Sequence, residues 1–304
     1  MQLNRDYLKT LIQGTPAPIP TAFDGGCQLD LAKMADMTQW WVEQGLGTKT
    51  TAFKVASAMG QGPDLSDDEW PHLLRTVVDA AGSGATILCA LKAKNTLHTI
   101  EDAKKAQDLG AVGLQIDLPF FHHPDQDANV RHFTAISDAI DIGIMIYNTW
   151  WFCQNPVKEY INADTMSRLE DAERVVAIKW STPQGENYDQ MSLFSNRFNV
   201  IDNTGDKIRC HRNGGRGYIS SLISAYAQHD LDLWHLLETE RYEEAMEKEE
   251  RVASVFARHG GAGTSALLAA MGRPMGTSRP PSLSPTDSQV AGARDALAEL
   301  GWVH

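Results

Sequence analysis

Short apolar runs alternate with longer amphipathic segments over about the first 220 residues of the chain. A short apolar run bounded by turn residues indicates a buried strand. Strands are predicted at residues 17–21, 51–57, 86–91, 112–117, 143–147, 175–179, 198–202 and 217–220. Strand–helix alternation predicts a parallel sheet, and eight such units predict an α/β fold of the (β/α)8 TIM-barrel type. An open doubly wound sheet is the alternative, but no Gly-x-Gly-x-x-Gly turn follows the first strand.

Apolar residues recur at every third or fourth position between the strands, which indicates helices. The predicted helices cover residues 29–44, 66–81, 96–109, 129–140, 164–169 and 188–195. Beyond residue 221 only helical patterns follow, at residues 222–229, 231–240, 242–258, 264–271 and 287–300. We therefore predict two units, a barrel catalytic domain of residues 1–222 and a C-terminal helical subdomain of residues 223–304.

Composition and charge exclude several classes of function. A formal net charge of −12 argues against nucleic-acid binding, which needs clustered Lys and Arg. Four cysteines without paired spacing predict reduced thiols rather than disulfides or a zinc site, namely Cys27, Cys89, Cys153 and Cys210. No apolar stretch approaches the roughly 20 residues of a membrane span, and the N-terminus lacks the apolar core of a signal peptide. We expect a cytoplasmic protein that binds no membrane.

Lys179 stands at the C-terminal end of the predicted strand 175–179 and is followed by polar and turn residues. Burial disfavours the charged ammonium form, so its pKa should fall. A neutral lysine amine is a nucleophile for carbonyl carbon, as Schiff-base enzymes require. The alternative is a lysine at a strand end whose ammonium group lies in water.

Catalytic groups of a barrel gather at the C-terminal ends of its strands. Besides Lys179, the predicted ends carry Ser57, Tyr147, Asp202 and Ser220. The phenol of Tyr147 is suited to proton transfer, although a rim tyrosine that only packs is the alternative. The glycine-containing turn after Ser57 offers backbone N–H groups that can bind a carboxylate, but most such turns bind nothing.

Several motifs in order along the chain resemble one family. They lie at residues 18–24, 57–61, 117–121, 147–148, 177–179 and 214–220. With these motifs the chain resembles the dihydrodipicolinate synthase/N-acetylneuraminate lyase superfamily of class I, Schiff-base aldolases, over essentially its whole length.

The resemblance implies a role for each matched position. Lys179 would form an iminium with the ketone of a 2-oxo acid, usually pyruvate, and Tyr147 would shuttle protons. The loop of Ser57, Ala58 and Met59 would bind the substrate carboxylate, and Ile219 would lie in the wall near the lysine. The covalent lysine imine needs no cofactor and no metal. The resemblance also implies a homo-oligomer, a tetramer or a dimer.

The departures from the family pattern argue against a typical dihydrodipicolinate synthase. The two relay threonines of that enzyme are Ala58 and Met59 here, and the interface tyrosine is Phe121. The arginine that binds the semialdehyde falls at about Phe152. Trp150, Trp151 and Phe121 are predicted to line an apolar substrate pocket, unless they pack between elements or at a subunit interface. The adjacent His122 and His123 offer acid–base groups as a polar alternative.

The resulting prediction is a Schiff-base lyase, an aldolase that acts on pyruvate or a pyruvate-derived 2-oxo acid with an apolar or aromatic aldehyde portion. Its partners would be a small 2-oxo acid and an aldehyde. One alternative is a dehydratase or deaminase of a 2-keto-3-deoxy acid, which would use the same lysine iminium. The other is a barrel that binds a ligand without catalysis.

Overall fold

Eight parallel strands form one sheet in sequence order. The computed structural model describes residues 4–261 and 263–302. The strands are β1 (Ala17–Pro18), β2 (Phe53–Val55), β3 (Ile87–Leu91), β4 (Gly113–Asp117), β5 (Gly143–Tyr147), β6 (Val175–Trp180), β7 (Asn199–Asp202) and β8 (Gly217–Tyr218). The backbone N–H of Tyr218 donates to the carbonyl of Gly14 at 2.9 Å, which joins the last strand to the chain before the first. The predicted (β/α)8 barrel is confirmed, and the open sheet was wrong.

The α-helices alternate with the strands and then continue past them. They are α1 (Arg5–Leu11), α2 (Leu31–Glu43), α3 (Glu69–Ala81), α4 (Thr96–Asp108), α5 (Gln126–Ala139), α6 (Pro156–Glu159), α7 (Ala163–Ser167), α8 (Lys207–Arg212), α9 (Ala227–Glu238), α10 (Tyr242–Arg258), α11 (Thr264–Ala270) and α12 (Asp287–Leu300). Residues 188–195, predicted as an α-helix, instead form a 3-10 helix, Tyr188–Leu193. The separate helix predicted at residues 222–229 was wrong, because a 3-10 turn, Leu222–Ser224, lies at its start, whereas α9 covers most of the helix predicted at residues 231–240.

Helix α1, which the sequence pattern did not predict, closes the bottom of the barrel. Leu8 and Ile12 pack there against Met145 and other interior side chains. Two strand glycines make room for this plug. A Cβ at Gly113 would lie 2.8 Å from Ile12 Cδ1, and one at Gly143 would lie 2.9 Å from the same atom. The lower barrel is therefore largely apolar, with the exception of the Asn199 amide, which donates to the carbonyls of Lys9 and Ile12 at 2.8 and 2.9 Å.

Interior side chains of such a barrel lie in layers contributed by alternate strands. In a closed eight-stranded barrel each strand is shifted by about one residue relative to the next. With this shift, the strand register places four interior residues in one layer, namely Lys54, Gln115, Lys179 and Ile219. They come from β2, β4, β6 and the residue after β8. Lys54 and Lys179 therefore face each other across the barrel.

Hydrogen bonds tie the C-terminal helices to the barrel. The indole N–H of Trp41 donates to the carbonyl of Ser224 at 2.7 Å, and the Ser220 hydroxyl donates to Asp230 at 2.9 Å. Leu268 and Leu297 belong to the same hydrophobic core as the outer faces of the strands. The boundary after residue 222 stays a prediction. Residues 1–3 and 303–304, at the ends of the two predicted domains, lie outside the described residues. Residues 1–3 also belong to the N-terminal segment in which no signal peptide was predicted.

Arg279 links the C-terminal segment to the loops above β1 and β2. Its guanidinium donates to both carboxylate oxygens of Glu69 at 2.8 Å and to the carbonyls of Cys27 and Asp64. These bonds to Arg279 hold the pKa of Glu69 down at about 2. Glu69 also accepts from the Ser66 N–H at 2.8 Å, and the Ser66 hydroxyl accepts from the Glu69 N–H at 3.2 Å, which together form a capping box.

Replacing Arg279 with Ala should reduce the free energy of unfolding by roughly 1.5–3 kcal/mol, the usual range for hydrogen bonds to charged groups. Chemical denaturation measures it. The control is Arg75→Ala, which removes an exposed pair with Asp79 and should cost less than about 1 kcal/mol. Because the folded-state pKa of Glu69 is depressed, this contribution should be complete above pH 4.5 and fade as the pH falls toward 2. Equal losses in the two variants would contradict this account.

Candidate active site

Lys179 and Tyr147 lie side by side at the ends of β6 and β5. The two residues are register partners, so their side chains point to the same side of the sheet. The Nζ atom of Lys179 lies 3.4 Å from the centre of the Tyr147 ring. Lys179 is 3% exposed and Tyr147 is 7% exposed. The alternative drawn from the sequence placed the ammonium group of Lys179 in water. The structure buries this amine instead.

Burial sets the protonation of this pair. It lowers the pKa of Lys179 well below the usual value, the neighbouring Lys54 lowers it further, and the Asp117 carboxylate opposes both effects. Burial raises the pKa of Tyr147 above its usual range, and Asp117 adds to that rise. Near neutral pH the site therefore offers an uncharged amine next to a protonated phenol.

The loop after β2 is held in one conformation by close backbone contacts. Ala56 turns the chain with a φ of 56°, and the Thr21 hydroxyl donates to the carbonyl of Gly60 at 2.6 Å. A Cβ at Gly60 would lie 2.2 Å from the carbonyl oxygen of Ile19, so only glycine fits. This arrangement fixes the position of Ser57 at the barrel mouth.

Ser57 is buried, and its Oγ has no hydrogen-bond partner among the residues that the structure describes. The 3-10 turn Ala58–Gly60 begins directly after it, and the first N–H groups of such a turn have no partner within the turn. Buried unpaired polar groups are costly unless something binds them. Met59 is 47% exposed and lines a cleft of about 410 Å³ with Leu283 and Pro285.

A row of aromatic rings extends outward from Tyr147. Ring centres are 5.8 Å apart for Tyr147 and Trp151, and Phe152, Phe120 and Phe121 continue the row. Trp151 is 42% exposed and Phe121 is 74% exposed. Trp150 is half-buried and packs against the main core. Of the aromatic residues predicted for the pocket, Trp151 contacts Tyr147, whereas Phe121 lies at the outer end of the row.

Asn148 anchors the chain between Tyr147 and this aromatic segment. Its amide donates to the carbonyl of Ile161 at 2.8 Å and accepts from the Ile161 N–H at 3.1 Å. Glu159 accepts from the N–H groups of Gln154 and Asn155 and from His123 Nδ1. The half-exposed His123 is thus engaged with the buried Glu159 rather than in the barrel interior.

Two strand-end residues named from the sequence do not join the site. Asp202 accepts hydrogen bonds from the Tyr188 hydroxyl and Thr204, outside the barrel interior. Ser220 donates to Asp230 and holds α9. Ile219, by contrast, lies in the interior layer of Lys179, as register places it.

Sequence reasoning missed two ionisable residues inside the barrel. Lys54 is 1% exposed, and burial lowers its pKa to about 7 against the effect of Asp117. Burial raises the pKa of Asp117 to about 6, which Lys179, Gln115 and Lys54 moderate. The available signal was the position of Lys54 in the middle of a strand. The strands of a parallel sheet are buried on both faces, so a lysine there has no exposed face.

Within residues 4–261 and 263–302 no group of three or more His, Cys, Asp or Glu residues is arranged to hold a metal ion. None of the helices in the same ranges is long and apolar enough to cross a membrane.

The model of the Dihydrodipicolinate synthetase family matches residues 12–299 of this chain. The chain belongs to this family. The sequence is similar to the 4-hydroxy-tetrahydrodipicolinate synthase of Acidothermus cellulolyticus, with 28% identity, covering 93% of this chain and 90% of that protein. The enzyme of the same name from Cutibacterium acnes is 27% identical, with 89% and 91% covered.

Solved structures show the same fold. Dihydrodipicolinate synthase from Thermotoga maritima superposes with a TM-score of 0.82 at 23% identity, covering 96% of this chain and 100% of that one. A Clostridium difficile protein, CdNal, in complex with mannosamine, gives 0.82 at 16% identity, with 95% and 99% covered. The predicted family and the prediction of a lyase of the aldolase class are confirmed by the family match.

Proposed function

We propose that the protein is a Schiff-base lyase that forms an imine between Lys179 and pyruvate or a pyruvate-derived 2-oxo acid. The observation that carries this proposal is the buried amine of Lys179, 3.4 Å from the ring centre of Tyr147. A lysine must be neutral to attack a carbonyl, and burial supplies that state without a cofactor.

The chemistry can be written with these side chains. The lone pair of Lys179 Nζ bonds to C2 of the 2-oxo acid, and the carbonyl oxygen leaves as water after taking up protons. The resulting iminium withdraws electrons, so the bond between C3 and C4 breaks toward nitrogen and gives an enamine and an aldehyde. Tyr147 first donates its phenol proton to the carbinolamine hydroxyl, which leaves as water. The phenolate that remains accepts the proton that the aldol hydroxyl loses and returns it to C3 of the enamine; condensation is the reverse.

Ser57 and the turn Ala58–Gly60 would bind the carboxylate of the substrate. The buried Ser57 hydroxyl has no protein partner among the described residues, and a carboxylate oxygen would accept its hydrogen bond. The N–H groups of Ala58 and Met59 would add two donors. The side chains of Ala58 and Met59 would take no part in this binding, which fits the absence of relay threonines at these positions.

The aldehyde partner is the finer part of the proposal. The relatives are named 4-hydroxy-tetrahydrodipicolinate synthases, but this chain carries Ala58, Met59 and Phe121 where that enzyme has hydroxyl groups. The aromatic row that begins at Trp151 supports an apolar or aromatic aldehyde portion. A homo-oligomer, tetramer or dimer, stays a prediction, and the exposed Phe121 and Phe152 would suit a subunit contact equally well.

A dehydratase or deaminase is the second candidate, and one observation favours it. The pKa of Asp117 is raised to about 6 by burial, so a minor fraction of this carboxyl is protonated at neutral pH and a larger fraction at lower pH. It would then donate a proton to a hydroxyl that leaves from C4 of a 2-keto-3-deoxy acid.

Incubation with pyruvate and sodium borohydride should add one reduced pyruvate to the protein, because the imine becomes a stable secondary amine. Intact mass and peptide mapping should place it on Lys179. Lys179→Met should give no adduct, whereas Lys104→Met, on the exposed surface of α4, should trap as the parent protein does. An adduct that survives in Lys179→Met would contradict the proposal.

Tyr147→Phe should lower turnover roughly 10²- to 10⁴-fold, the range for a lost acid–base group. Pyruvate trapping on Lys179 should persist, and thermal unfolding should change little because the ring remains. Steady-state kinetics on pyruvate-derived substrates measures the loss. A rate near that of the parent protein would show that Tyr147 only packs and transfers no proton.

Trp151→Ala should weaken kcat/KM for an aromatic aldehyde by about tenfold or more, equal to about 1.4 kcal/mol, and should spare a short aliphatic one. Phe121→Ala is the comparison, because its ring lies at the far end of the row and should matter less. Equal losses for both aldehydes in Trp151→Ala would argue against an aromatic subsite.

A further inference from the structure

A second lysine lies inside the barrel on the strand opposite Lys179. We propose that Lys54 is a positioning residue that carries the proton and positive charge of the site, balanced by Asp117, so that the facing amine of Lys179 stays free to attack a ketone. The inference deepens the proposed function and rests on it. Nothing in the family resemblance assigns a role to Lys54, which stands three residues before the Ser57 loop.

The geometry follows from strand order and register. Lys54 is on β2 and Lys179 on β6, four strands apart in a ring of eight and in the same interior layer. Gln115, on β4 between them, belongs to this layer. Asp117 lies two residues further along β4, above the two lysines, and is the register partner of Tyr147. The ionisable groups facing the layer are thus Asp117, Tyr147 and the two lysines.

Few hydrogen bonds reach this group from the protein. Gln115 Nε2 donates to Asp117 Oδ1 at 3.4 Å, and Gln115 Oε1 has no partner among the described residues. Lys54 is 1% exposed, so its head group is held among interior side chains and not in bulk water. A buried lysine without a specific role is costly to fold, which makes its presence here informative.

Charge balance allows only one of the two lysines to be charged. One carboxylate can compensate one ammonium, so a state with ionised Asp117, one charged lysine and one neutral lysine has no net charge. Burial lowers the pKa of Lys54 to about 7, and burial together with the neighbouring Lys54 lowers the pKa of Lys179 well below its usual value. In the proposed state the proton lies on Lys54 and Lys179 is neutral. A neighbouring cation is a known way to activate a Schiff-base lysine.

The test is the pH dependence of reductive trapping of pyruvate with cyanoborohydride, mapped to Lys179, between pH 5 and 10. Removing a nearby positive charge raises the pKa of the remaining amine. In Lys54→Met the pH of half-maximal trapping should therefore move up by roughly 1–2 units. Lys54→Arg, which keeps the charge, should restore a midpoint at or below that of the parent protein.

Two further variants separate charge from packing. Asp117→Asn removes the carboxylate that favours the charged amines, so the midpoint should move down, opposite to Lys54→Met. Gln115→Met changes an uncharged side chain of the same layer and should leave the midpoint in place. If Lys54→Met does not fold, as judged by thermal unfolding, Lys54→Gln takes its place.

The outcomes distinguish this inference from the function on which it rests. No adduct in the parent protein at any pH would overturn the Schiff-base proposal itself. Trapping on Lys179 with the same midpoint in Lys54→Met and the parent protein would overturn only the role of Lys54. An adduct mapped to Lys54 would show it to be the nucleophile and would overturn the inference as well.

Discussion

The site depends on the removal of one lysine amine from water. A closed barrel excludes solvent from its interior, and Lys179 points into that interior near the mouth, where it is 3% exposed. The apolar plug of α1 lies below it and the loop of Ser57 beside it, so a substrate would approach from the mouth. Because desolvation of an ammonium group costs several kcal/mol, the neutral form is favoured before any substrate arrives.

A buried amine also needs an electrostatic setting, and the strands β2, β4, β5 and β6 supply it. Asp117, Tyr147, Lys54 and Lys179 form one group of ionisable side chains whose protonation states constrain one another. Each residue is rigidly placed because it lies on or at the end of a strand rather than on a loop. The aromatic segment after Asn148 lies beyond the strand, and under the proposed function substrate choice would depend on it.

Much of this could be predicted from the sequence. Apolar runs separated by amphipathic segments give the strands and the barrel, and motif spacing brings Lys179 and Tyr147 to adjacent strand ends. The short helices α1, α6 and α8 were missed because so few residues carry too little periodicity. Lys54 and Asp117 were missed because which face of a strand points inward depends on barrel register, which a single sequence does not reveal. For the same reason the sequence did not show that the side chains of Asp202 and Ser220 point away from the barrel interior.

The most direct measurement is the ionisation of Lys179 itself, followed by the ¹³Cε chemical shift in lysine-labelled protein, with Lys179→Arg to assign the signal. The account predicts a titration well below the value of about 10.4 for a lysine in water. A Lys179 signal that titrates near that ordinary value would show a charged amine at neutral pH and would contradict the account.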